Sequence, residues 1–195
     1  MDLHGKRIIL GSASPRRKEL LRGLDLEFET DTGNTFTEDF RNITSLHEIP
    51  AMMSRGKSHG FHRQLSPDEI LITSDTVVIC GDEVMGKPRD REDAVRMLRK
   101  LSGRRHEVVT AVTIRSAGKE ETFSDTAFVR FRELGKEEID YYIDKYRPYD
   151  KAGAYAVQEW IGYIGIESIE GSFYTIMGLP VFQVYRHLEK FLSEV

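Results

Sequence analysis

The chain has 195 residues, 39% hydrophobic and 31% charged, with a formal net charge of -4 at pH 7. Such a size suits one sizeable domain or two small lobes, and the composition excludes disorder over most of the length. The acidic balance argues against a general nucleic-acid binder, so any anion site has to be local.

A strand is predicted near 6–11, and it runs into Ser14 and Pro15, which read as the N-cap and first position of a helix ending at about Gly23. The first turn of that helix carries Arg16, Arg17 and Lys18 at the positive end of the dipole, where each cation costs about 0.3 to 1 kcal/mol. A strand follows near 26–31, then a polar, aperiodic loop over 32–42, then a helix over 46–62 with Pro50 in an early turn. The stretch "EILITSDTVVIC", 69–80, is the next strand, and Gly81, Asp82 and Glu83 read as a turn. "DREDAVRMLRKL" is an amphipathic helix with Ala94, Met97, Leu98 and Leu101 on one stripe. "HEVVTAVTIRSA" and "EETFSDTAFVRFREL" pattern as an antiparallel hairpin around Gly118. A short helix over 136–146, short apolar runs punctuated by glycine over 153–171, and a helix after Pro180 complete the chain. The alternation is that of an α/β protein, with no internal repeat or linker.

Cys80 is the single cysteine, which excludes an internal disulfide, and its apolar surroundings mark a buried structural thiol rather than a nucleophile. The apolar runs are strand-sized and "MDLHGKRIILG" holds no apolar core of signal-peptide length, so no membrane association and a cytoplasmic location are expected.

Asp75 is the strongest anomaly, a carboxylate inside an apolar strand. Buried and unpaired it would cost several kcal/mol, so it is paired, protonated, metal-bound or open to a cleft. Ser74 and Thr76 beside it favour a polar site over a loop cap. "GDEVMGKP", 81–88, meets the G-x-x-x-x-G-K part of a phosphate-binding loop, but Pro88 stands where a hydroxyl should reach magnesium, and the helical pattern starts only near Asp90. Lys87 remains either a phosphate-holding point charge or an exposed turn lysine. His59 and His62, three apart on the predicted helix, lack a third ligand and read as a solvated face. His106 reads as a local hydrogen-bonding residue, and Trp160 as core or a stacking surface. Gln158 follows the small, apolar "AGAYAV"; its amide suits either reading the edge of a pyrimidine or a satisfied place in the core.

Taken in order, "LGSASPRRKELL", "SRGKS", "LITSDTVV", "MGKPRDREDAVRMLRKLSGRRHEVVTAV", "YDKAGAYAVQEW" and "IEGSFYTIMGLPV" resemble the Maf family, the septum-formation inhibitor-like nucleoside triphosphate pyrophosphatases. The resemblance spans nearly the whole chain. It implies one α/β domain over 1–195, with an elongated mixed sheet flanked by helices and two lobes around a deep central cleft, as in Maf and ITPase-like folds. It also implies hydrolysis of a nucleoside triphosphate to the monophosphate and pyrophosphate with a divalent cation, Mg2+ or Mn2+. A homodimer accords with the family.

Carried onto this chain, the family's S-x-S-P-R-R element is Ser12, Ser14, Arg16 and Arg17. Its A-x-x-K-A lysine is Lys57, with different small flanking residues in "SRGKS". Its S-D-T is Ser74, Asp75 and Thr76, and its G-K-P lysine is Lys87. Asp75, Lys87, Lys57 and Arg17 are then the catalytic candidates, with Asp75 as general base or as metal ligand, because a carboxylate among cations is a weak base. In the pyrimidine subgroup, acting on dTTP and UTP, substrate choice is associated with positions that fall on Arg16, Thr76 and Gln158, all present here. The alternatives are a 7-methyl-GTP or modified-purine pyrophosphatase and a nucleotide-binding cell-division regulator. Two departures stand out. The family's acidic pair after the second strand has only displaced candidates in Glu38 and Asp39, with Glu38 the candidate metal ligand, and the glycine often following the glutamine is Glu159. The resemblance also gives the three N-terminal cations a reason: a helix end facing a triphosphate is the place for them.

Overall fold

Three adjacent buried aliphatics, Ile8, Ile9 and Leu10, make β1 (Arg7–Leu10). Its register is parallel on both sides, Ile8 opposing Phe28 of β2 (Phe28–Thr30) and Ile70 of β3 (Glu69–Cys80). Such β-branched and leucine-rich runs belong to strands covered on both faces. The computed structural model describes residues 1–37 and 45–193. Four further strands are β4 (Glu83–Met85), β5 (Arg105–Arg115), β6 (Glu120–Phe131) and β7 (Ile166–Glu170). Together they form a mixed seven-stranded sheet in the order β2-β1-β3-β5-β6-β7, with β4 pairing antiparallel to β3 off that path. Edge strand β7 runs antiparallel to β6, Val129 opposing Ile169.

The helices are α1 (Pro15–Arg22), α2 (Ile49–His59), α3 (Arg91–Leu101), α4 (Lys136–Tyr146), α5 (Trp160–Gly165), α6 (Phe173–Met177) and α7 (Val181–Ser193). The expected α/β class and most element positions are therefore present. The helix expected over 46–62 is shorter: a 3-10 turn, Leu46–Glu48, precedes α2, which ends at His59 with Gly60 as its cap. Beyond the turn at Gly81 the chain forms β4, whose three residues are too few to show a period. The expected hairpin reverses with the Ser116 N–H donating to the Lys119 carbonyl at 2.8 Å.

The chain divides into two compact units. The first comprises Met1–Asp75, Thr110–Asp125 and Gly178–Val195, and the second Thr76–Val109 and Thr126–Met177. In the first, Ile9, Leu71, Phe61 and Leu65 pack together, and α7 buries Val184, Leu188, Phe191 and Leu192. In the second, α3 sets Ala94, Met97, Leu98 and Leu101 into a core with Val78, Met85, Val129, Phe131, Tyr142 and Ile143, and Trp160 packs half-buried against it. Cys80 is buried there as expected. His106 is buried and bonds to the Tyr155 hydroxyl at 2.8 Å, and burial pushes its pKa down to about 4, so the ring is neutral. Among the described residues, no helix is long and apolar enough to cross a membrane.

Candidate active site

The N-terminus of α1 is built by its serines. Ser14 is extended, as an N-cap requires, and its Oγ accepts from the Arg17 N–H at 3.4 Å, with Pro15 opening the helix. Buried Ser12 accepts from the Ser14 N–H at 3.3 Å and from Arg17 Nη1 at 3.4 Å. Arg17 then turns inward, giving Nε to the Gly178 carbonyl at 2.9 Å and Nη1 to the Ser74 carbonyl at 2.8 Å. Burial works against the Arg17 charge and lowers its pKa, Asp75 favours the charge, and Arg16 opposes it. Arg17 is therefore a tie between α1, β3 and the segment leading to α7. Arg16 is half-buried on the same first turn.

Asp75 and Thr76 are the two half-buried positions of β3, whose other ten residues are buried. That resolves the anomaly of a charge in an apolar strand. Lys57 on α2 donates from Nζ to Asp75 Oδ1, and the two side chains are 28% and 16% exposed. The pair is thus partly desolvated, where Coulomb attraction is stronger than at a surface.

Lys57 arrives there because α2 buries Ile49, Pro50 and Met53 and is pinned on its sheet side by polar groups as well. Ser54 and Ser58, one turn apart, are fully buried. Ser54 Oγ donates to the Thr73 carbonyl at 3.2 Å and shares a hydrogen bond with Thr113 Oγ1 at 2.8 Å, and Thr73 Oγ1 donates back to the Ser54 carbonyl at 2.8 Å. Arg115 donates to the Ser58 hydroxyl at 2.8 Å and to the Ser58 carbonyl at 2.5 Å. These serines stand where the family pattern has alanines, so the departure in "SRGKS" supplies fastenings. On another side of α2, Asn34 Nδ2 donates to the Lys57 carbonyl at 2.6 Å, and the Phe36 ring covers Gly56, where a Cβ would come within 2.3 Å of it. Sequence reasoning missed Ser54, Ser58, Arg115 and Asn34; the one available signal was two serines four apart on a face that should be apolar.

In the second unit, Thr76 continues β3 half-buried. Lys87 is exposed in the bend after β4. The carbonyl before it, of Gly86, accepts from the Gly153 N–H at 3.1 Å. Gly153 has φ +68, and a Cβ there would lie 3.0 Å from Val78, so the "AGAY" glycine is required twice over. The would-be phosphate loop is β4 and a bend, and α3 begins only at Arg91 behind its cap Asp90, which accepts from the Asp93 N–H at 2.8 Å. Its reading as a P-loop is thereby excluded. Gln158 is half-buried, and its Oε1 is buried without a hydrogen-bond partner. A buried acceptor left unpaired costs about 1 to 3 kcal/mol, a cost that a ligand's donor would remove.

Among the described residues no three His, Cys, Asp or Glu side chains gather as a metal ion needs. Asp75 is engaged by Lys57, and Glu38 and Asp39 lie outside the described residues. The described residues do not by themselves form a cation site. His59 and His62 are not a pair either: His59 ends α2 and bonds Glu120 at 2.7 Å, while His62 lies beyond the helix and bonds Asp31 at 2.9 Å.

A family model described as Maf-like protein matches residues 7–191. The chain is 49% identical over 192 residues to a protein of Porphyromonas gingivalis named dTTP/UTP pyrophosphatase, covering 97% of this chain and 96% of that one. A protein of Parabacteroides distasonis with the same name is 49% identical over 190 residues, covering 97% and 98%. One of Cytophaga hutchinsonii, again so named, is 44% identical over 191 residues, covering 98% and 87%.

Proposed function

Because the chain belongs to the Maf-like protein family, we propose that it is a nucleoside triphosphate diphosphatase that hydrolyses dTTP and UTP to the monophosphate and pyrophosphate. The observation that carries the reading is the Lys57–Asp75 pair, set at the half-buried step of an otherwise buried strand. Binding a polyanion does not by itself require a carboxylate, which favours the enzyme over a protein that only binds nucleotides.

The backbone N–H groups of α1's first turn, the hydroxyls of Ser12 and Ser14, and Arg16 receive phosphate oxygens, since a helix N-terminus favours anions and guanidinium binds them bidentately. Lys57 and Lys87 neutralise charge as the bond breaks. A water oxygen bonds to the phosphorus next to the leaving pyrophosphate, and the P–O bond to pyrophosphate breaks with its electron pair. Asp75 takes the water's proton. Arg17, its Nε and Nη1 spent on two carbonyls, holds Ser74 and hence Asp75 in place rather than gripping phosphate with those nitrogens. A divalent cation would find one donor in Asp75, its alternative role. Thr76 and Gln158 read the base: the unpaired Gln158 acceptor suits the N3–H that thymine and uracil share. A cytoplasmic location, where such substrates occur, goes with this reading.

The test is a panel of dTTP, UTP, CTP, 7-methyl-GTP and the purine triphosphates, with Mg2+, Mn2+ or a chelator, separating phosphate from pyrophosphate. The reading expects monophosphate and pyrophosphate from dTTP and UTP, with CTP, which lacks the N3–H, slower. A preference for 7-methyl-GTP would overturn the specificity, and no turnover of any nucleotide would overturn the enzyme. Full activity in chelator would remove the cation-ligand role of Asp75.

A further inference from the structure

The segment that carries Gln158 is held at both ends by a single phenol. Tyr142 of α4 is fully buried. Its hydroxyl accepts from the Ala156 N–H at 3.2 Å and donates to Glu159 Oε2. Those two residues bracket Val157 and Gln158. Burial, and next the Glu159 carboxylate, push the Tyr142 pKa well above the ordinary tyrosine range, so the proton stays to be donated.

The bracket is closed from its other sides. Glu159 Oε1 lies 3.4 Å from Lys151 Nζ, which also donates to Asp150 at 2.7 Å. Glu159 is the N-cap of α5, and its carbonyl accepts from the Gly162 N–H at 2.9 Å. A Cβ at Gly162 would lie 2.0 Å from the Val157 carbonyl oxygen, so α5 meets this segment backbone against backbone. What remains inside this frame is the buried Gln158 Oε1 with no partner. Bonds that fix the backbone on both sides of Gln158 place its unpaired acceptor for a ligand's donor.

We propose that Tyr142, through its bonds to Ala156 and Glu159, is a positioning residue that sets which nucleotide base Gln158 accepts. The proposal rests on the reading of Gln158 given above. It also gives Glu159, which replaces a small residue of the family pattern, a function as the phenol's acceptor.

The test compares kcat and KM for dTTP and dATP in the wild type, Tyr142→Phe, Gln158→Ala and the double variant. Tyr142→Phe removes one oxygen and keeps the ring that fills the core. The ratio of kcat/KM for dTTP to that for dATP is expected to fall about five- to tenfold, the worth of one or two net hydrogen bonds, through KM rather than kcat. The double variant should lose no more selectivity than Gln158→Ala alone. Glu159→Gln, whose amide oxygen still accepts from Tyr142, should keep the ratio, and Glu159→Ala should lose it. Ile143→Val, a buried change on the same helix, controls for stability: it should lower Tm and leave the ratio alone. The proposal is overturned if Tyr142→Phe lowers Tm but keeps the ratio, or if its effect persists undiminished in the Gln158→Ala background. If Gln158→Ala itself keeps the ratio, the reading of Gln158 fails and the proposal falls with it, a pattern distinct from a silent Tyr142→Phe.

Discussion

Helices α2 and α3 are both eleven residues long and both lie against the sheet, each in its own unit, yet they differ in the balance of apolar burial and polar fastening that holds them. α3 buries Ala94, Met97, Leu98 and Leu101 on one stripe. α2 buries Ile49, Pro50 and Met53 and, with them, Ser54 and Ser58, which it fastens to Thr73, Thr113 and Arg115. Apolar burial is strong but non-directional, whereas hydrogen bonds at fixed geometry add a definition of rotation and height. The helix that brings the Lys57 ammonium to Asp75 is the one whose buried serines are fastened to neighbouring strands. α3, which carries none of the proposed site residues, is held mainly by area.

Truncating the apolar face should separate stability from catalysis most strongly. Leu98→Ala, at a fully buried position, is expected to cost about 2 to 5 kcal/mol, read as a fall in Tm, with turnover per folded molecule unchanged. Arg115→Met removes two bonds from Ser58. A loss of about 1 to 2 kcal/mol of stability should come with a disproportionate loss of kcat, because Lys57 follows the loosened last turn of α2. Equal turnover in the two variants would erase the distinction between the helices. The smallest effect sharpens it: Asp90→Ala, the cap of α3, should cost about 1 kcal/mol in chemical denaturation and leave kcat alone.

The same contrast explains what could be read from the sequence. The α3 stripe was legible because its period is pure, and the strand over 69–80 because its apolar run is long. Asp75 stood out as a charge in that run, and the structure places it at the half-buried step of β3, bonded to Lys57. Its partner was not legible without the family resemblance, because Lys57 is eighteen residues away and only the packing of α2 on β3 brings them together. Ser54 and Ser58 were hidden because serine on a helix reads as solvent-facing until its partners on other strands are known. Tyr142 was hidden for a related reason: an aromatic at helical spacing reads as core, which it is, and its hydroxyl has meaning only through Ala156 and Glu159. Arg17 was legible as a candidate from the resemblance but not in its bonding, since the two carbonyls it serves belong to Ser74 and Gly178, far along the chain.

The most direct measurement is pyrophosphate release from dTTP by the wild type and by Asp75→Asn, with Tm recorded for both. If the Lys57–Asp75 pair carries the hydrolysis, the wild type releases pyrophosphate and dTMP, while the variant keeps its fold and loses about 10²- to 10⁴-fold in kcat. A folded Asp75→Asn protein that still releases pyrophosphate at the wild-type rate would contradict the account.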